Sequence, residues 1–197
     1  MKKTLITILV TVLVCCTAFG VTYAYLMDKT TTITNTFTFG DVSITLKETK
    51  GEGTDTAKTF KMVPGATIDK DPKVSVVADS EACWLFVKID EANNTFVIED
   101  STVKFINYTV DSAWTAVETG VYYIQVDADT AKAGKTYSVL TGDVVKVNDK
   151  ATVADFTTAD TNYPEITFTA YAVQSDGDVD AIDSAAEAWD IAEAQSN

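Results

Sequence analysis

The sequence predicts an all-β fold, a jelly-roll-like β-sandwich with a short C-terminal helix, on three observations. Between Val42 and Val173 the apolar residues fall in short runs with a period of two, rich in Val, Ile, Phe and Tyr. Turn formers and polar clusters separate these runs, Pro64-Gly65 most clearly. Helical spacing of apolar residues is confined to the last stretch, Asp180 to Gln195, where Ile182, Ala185, Ala186, Trp189 and Ala192 line one face.

The chain opens with Lys2 and Lys3, an almost unbroken apolar run from Leu5 to Phe19, and Thr22-Tyr23-Ala24, which together have the layout of a secretory signal peptide over residues 1–24. The run ends near Gly20, short of the ~20 apolar residues that a spanning helix needs, and no basic stop-transfer cluster follows. Cleavage is expected between Ala24 and Tyr25, with membrane contact only through the signal before the cut. A lipid anchor at Cys16 is disfavoured because the residue before such a cysteine is normally small, and here it is Cys15. Residues 25–39 then become a new N-terminal segment in which Ile33, Phe37 and Phe39 alternate with Thr. Such a strand can pair with an edge of its own sheet or of a neighbour's.

Residues 40–197 are expected to form a single domain. Val42, Ile44 and Leu46 resume the alternation, whereas Lys47 to Lys58 has no apolar periodicity and is expected to be a solvated loop. Pro64-Gly65 makes a turn, and Pro72 biases Asp71 towards an extended backbone. Val74 to Ala78 and Cys83 to Ile89 are the core strands, joined by the turn Asp79 to Ala82. Further strands are expected at Phe96 to Ile98, Val103 to Val110, Gly120 to Val126 after Trp114, Val139-Leu140, Val144 to Val147 and Ile166 to Val173. Ala128 to Gly134 is expected to be a turn region. The last helix is expected to be capped by Asp180 or Asp183 and to lay Trp189 on the sheet.

Removing residues 1–24 from the 197 leaves 173, enough to bury roughly two-thirds of the unfolded chain's surface in one domain. That part carries 13 lysines, no arginine and 29 acids, a net charge of −16. Such a balance argues against nucleic-acid binding, which needs a basic patch, and against simple electrostatic docking on an anionic membrane. Cys15 and Cys16 fall within the signal, so Cys83 is left without an internal disulfide partner and is expected to be a buried, inert thiol.

Catalytic chemistry is sparse. The chain has no histidine, which excludes a His-x-x-x-His zinc helix and every Ser-His or Cys-His arrangement. Gly-rich phosphate loops and metal-spaced Cys pairs are also missing. No catalytic, cofactor-binding or metal residue is therefore assigned, and no enzyme activity or cofactor is expected. Asp176-Gly-Asp178-Val-Asp180 with Glu187 has the spacing of a Ca²⁺ loop, but Ala181 stands where that loop turns on Gly and Asp183 where it is apolar. It reads instead as an acidic, helix-capping turn. Tyr108, Tyr122, Tyr123, Tyr137, Tyr163 and Tyr171 read as packing residues with their hydroxyls at the sheet edge. Internal amide bonds between Lys and Asn depend on burial, which spacing does not reveal.

Thr22-Tyr-Ala-Tyr-Leu-Met-Asp28, Asn35-Thr-Phe-Thr-Phe-Gly-Asp-Val-Ser-Ile-Thr-Leu46, Val63-Pro-Gly65 with Lys70-Asp-Pro-Lys-Val74, Gly120-Val-Tyr-Tyr123 and Ala170-Tyr-Ala-Val-Gln174 together resemble the TasA/camelysin family of Gram-positive matrix proteins. The resemblance runs in the same order over most of the chain beyond residue 24. It implies a jelly roll, processing by a SipW-type signal peptidase at Ala24-Tyr25, and a secreted subunit of extracellular or biofilm-matrix fibres. It also implies donor-strand exchange, in which a segment within Tyr25 to Phe39 completes the sheet of the next copy in a head-to-tail polymer. The camelysin branch implies an alternative, a cell-surface metalloprotease, which the missing histidines oppose. A monomeric adhesion or binding module is a third reading, and residues 30–39 could equally be the first strand of their own sheet.

Overall fold

β-Branched and aromatic residues at alternate positions build fourteen strands among the residues that the structure, a computed structural model, describes: 41–54, 57–152, 163–175 and 182–195. In chain order these are β1 (Ile44–Lys47), β2 (Glu52–Thr54), β3 (Ala57–Thr59), β4 (Thr67–Asp69), β5 (Lys73–Val76), β6 (Cys83–Ala92) and β7 (Thr95–Ile98). β8 (Ser101–Lys104), β9 (Ile106–Asn107), β10 (Thr115–Glu118), β11 (Val121–Val126), β12 (Lys135–Ser138), β13 (Val144–Val147) and β14 (Glu165–Gln174) follow. Two α-helices, Ala128–Ala133 and Ala185–Ala194, and a 3₁₀ turn, Thr141–Asp143, complete the set among the described residues. All of these lie within the unit Gly40–Asn197.

Every pairing is antiparallel. The largest sheet runs β10-β11-β6-β14, two three-stranded sheets run β1-β5-β12 and β4-β13-β9, and β2-β3 and β7-β8 are hairpins. β6 explains the layering. Its side chains alternate between two apolar environments, as a period of two requires. Cys83, Leu85, Val87 and Ile89 enter one core with Val74 and Val76 of β5, Tyr137 and Val145. Trp84 and Phe86 point the other way, into a second core with Ala188 and Trp189 of the last helix. The molecule is thus an all-β sandwich with a helix on the outer face of the larger sheet. Trp189 lies on the sheet, tilted against the Phe86 ring at 5.4 Å and edge-on to Tyr171 at 5.3 Å, as its helical spacing predicted.

Several local expectations are corrected. Lys47 to Lys58 is not all loop: β2 and β3 pair there through Gly53 opposite Lys58, a ribbon made by backbone bonding that leaves no apolar period. Ala128 to Gly134 holds a helix, because the Asp127 side chain accepts from the Thr130 N–H at 2.8 Å and Gly134, at φ 75°, ends it after six residues. Val103 to Val110 is broken into the end of β8, then β9, then an isolated bridge from Val110 to Leu140. Ser184, not Asp180 or Asp183, caps the last helix, accepting from the Glu187 N–H at 3.2 Å. The Pro64-Gly65 turn forms as expected, with Gly65 at φ 77° and Ala66 N–H bonded to the Val63 carbonyl at 2.9 Å.

Candidate functional site

The residues that the sequence marks for processing and strand donation, Ala24, Tyr25, Ile33, Phe37 and Phe39, lie outside the described residues, as do Asp176, Asp178 and Asp180. What is described is the sandwich on which such a strand would act. β14 ends the four-stranded sheet and β1 ends the sheet of β5, and these two end strands adjoin each other. Among the described residues, no strand pairs with the outer edge of either.

Burial changes along this side of the sandwich. Val74, Leu85 and Val87, in the middle of their sheets, are fully buried. By contrast, Ile44 and Leu46 of β1 and Ile166, Phe168, Ala170 and Ala172 of β14 are only half-buried, though all belong to the same core. Core-facing apolar side chains and open backbone edges therefore coincide, the two requirements for adding a strand.

One end of this seam is held by buried polar groups. The Lys70 Nζ donates to both oxygens of Glu48 at 3.1 and 3.0 Å, and lies 4.8 Å from the Phe60 ring centre and 5.3 Å from that of Phe168. Asp71, also buried, accepts from the Thr49 hydroxyl at 2.6 Å, the Thr49 N–H at 3.0 Å and the Lys50 N–H at 2.7 Å. Burial alone would raise the pKa of Asp71, but the bonds from Thr49 and Lys50, with Lys73 nearby, outweigh it and hold the group below its usual value. A cleft of about 600 Å³, lined by Phe60, Met62, Ile68, Lys70, Tyr163 and Ile166, opens at the same end.

A second polar cluster stands at the end of β6. Glu91 accepts from Lys104 Nζ at 2.7 Å, Asn94 Nδ2 at 2.7 Å and the Tyr108 hydroxyl at 2.5 Å. Burial opposes ionisation of Glu91, yet these three donors prevail and its pKa is lowered. The Tyr108 hydroxyl is pushed far up by burial and then by Glu91 itself. Cys83 is fully buried as expected, and burial pushes its thiol up to about 11. Of the tyrosines, Tyr137 is buried and Tyr108, Tyr122, Tyr123 and Tyr171 are half-buried, whereas Tyr163 is 62 % exposed.

Among the described residues, no group of three or more His, Cys, Asp or Glu is placed to hold a metal ion, and no helix is long and apolar enough to cross a membrane. Comparison of the chain with family models, curated proteins and solved structures returns no match.

The sequence offers residues 25–39 as a candidate donor strand but no acceptor for it. Which strands end a sheet depends on pairings such as β14 with β6, whose residues lie more than 70 positions apart. The one local signal is the alternation of Val42, Ile44 and Leu46, which marks a strand without saying whether it lies inside a sheet or at its edge.

Proposed function

We propose that the chain is a secreted structural subunit of an extracellular, biofilm-matrix-type fibre, assembled head to tail by donor-strand exchange after its signal is removed at Ala24-Tyr25. The observation that carries this reading is the pair of adjoining end strands, β1 and β14, flanked by half-buried core side chains. A segment within Tyr25 to Phe39 has the matching chemistry. Its alternating Ile33, Phe37 and Phe39 would cover Phe168, Ala170 and Leu46, and its backbone would bond along β14. A signal still attached to the membrane would hold that segment back. Because the contact adds one copy to the next without closing, it yields a filament. The acidic surface suits a protein that stays dispersed until its donor strand is free.

Electron microscopy and size-exclusion chromatography on protein beginning at Tyr25 test this, beside the same protein with several added residues before Tyr25 and a third form lacking residues 25–39. Fibres from the first only, and recovery of a one-to-one complex when a synthetic 25–39 peptide is given to the third, are expected. Monomers from the native terminus across concentration and salt, with the peptide unbound, would mean that residues 30–39 close their own sheet and that the protein is a monomeric binding module.

A further inference from the structure

We propose that Lys104 and Asn94 become joined by an autocatalytic amide bond, with Glu91 as the proton carrier. This rests on the geometry of the polar cluster at the end of β6 and is independent of fibre assembly. A single carboxylate bridges the two nitrogens that must exchange places: Lys104 Nζ lies 2.7 Å from Oε1 of Glu91, and Asn94 Nδ2 lies 2.7 Å from its Oε2. The electrophile is fixed. Asn94 is 3 % exposed, its Oδ1 accepts from the Ile106 N–H at 2.8 Å, and its Nδ2 donates to the Ile106 carbonyl at 3.0 Å. The Tyr108 hydroxyl, 2.5 Å from Oε1, holds Glu91 in place.

An amine, an amide carbonyl and a carboxylate in contact with both are therefore brought together, the groups that acyl transfer to an amine uses. Its donors hold Glu91 as a weak base, so the proton it takes from the Lys104 ammonium to free the lone pair on Nζ moves uphill, and this transfer is the slow step. Nζ attacks Cγ of Asn94, and the charge that develops on Oδ1 falls on the Ile106 N–H, a preorganised donor. Glu91 returns its proton to Nδ2 as the Cγ–Nδ2 bond breaks. A second Nζ proton follows, so ammonium leaves and a secondary amide remains, with no oxidant, cofactor or energy source consumed. The open cleft beside Glu91, Lys104 and Tyr108 gives ammonia a way out. Having both nitrogens on one carboxylate replaces a bimolecular encounter by a positioned one, which is how so slow a reaction becomes accessible.

The product would tie the open end of the β7-β8 hairpin, where Thr95 pairs with Lys104, to the turn that follows β6. The test is tryptic mass mapping of the full chain. Trypsin does not cut after an acylated lysine, so the expected product is one uncut fragment, residues 89–132, lighter than its sequence by one ammonia. Fragment sequencing should place the branch at Asn94 and Lys104. An Asn94 succinimide would also lose ammonia, but would leave Lys104 cleavable. Glu91→Gln keeps the shape and removes the proton carrier, so loss of the uncut fragment is expected, with the circular dichroism of the folded protein retained. Complete cleavage after Lys104 in the unaltered protein, giving residues 89–104 and 105–132 at their sequence masses, overturns the proposal whatever the variant does.

Discussion

Trp189 joins the last helix to the sheet through three partners: the rings of Phe86 and Tyr171, and a hydrogen bond from its Nε1 to Glu118 at 2.9 Å. Trp189→Ala removes a buried ring and should cost about 3–5 kcal/mol, read as a lower urea midpoint. Trp189→Phe keeps most of the packing and loses the bond, so it should cost less than half as much. Equal losses for both would show that the polar contact, not the ring, is decisive. Cys83 offers a second check at this scale. With its thiol pKa pushed up to about 11 by burial and no exposed surface, it should resist an alkylating reagent at pH 8 until the protein is unfolded. Asp71 and Glu91 set the acid limit. Both have folded pKa values below their ordinary 3.8 and 4.5, so each contributes stability that is present above that ordinary value and lost as the pH falls through the folded one. Unfolding curves taken between about pH 3 and 6 should steepen downwards at the acid end, and Asp71→Asn should flatten that limb.

Elements differ in how far the chain announces them. Ser184→Ala removes the cap of the last helix and should cost about 1 kcal/mol, whereas Asp183→Ala should cost almost nothing, a pair of urea titrations that tests the capping residue directly. Gly134→Ala should be worse than an ordinary surface change. Its φ of 75° suits glycine, and an added Cβ would sit 2.9 Å from the Ala78 nitrogen. The strongest strands were legible because burial writes itself into sequence: Cys83 to Val87 is apolar at both alternate sets, since both faces of β6 are covered there. Short elements held by backbone bonds or a single cap leave no such trace. The β2-β3 ribbon and the helix Ala128–Ala133 were missed for that reason. The Lys104, Asn94 and Glu91 cluster was equally hidden, because the hairpin, not spacing along the chain, brings these residues to one carboxylate.

Taken as a whole, the molecule combines a strongly acidic composition with strand edges, those of β1 and β14, that no other described strand pairs. If copies add end to end, each addition must overcome repulsion between like-charged bodies, and salt screens that repulsion over about 8–10 Å at physiological strength. Fibre growth followed by light scattering should therefore accelerate several-fold as salt is raised from low to physiological concentration. Growth that is unchanged, or slower, would point to contacts dominated by complementary charge instead.

The pairing of β14 with β6 bears on how such a chain would carry load. All ten residues of β14 lie in register with β6, from Glu165 opposite Ala92 to Gln174 opposite Cys83. Tension applied along the strand direction would strain these pairs together rather than peel them one at a time. Tension applied across it would open them singly from one end. A subunit gripped through its outer edge strand would thus be stiff lengthwise and weak sideways, the directional strength of a rope rather than of a sheet.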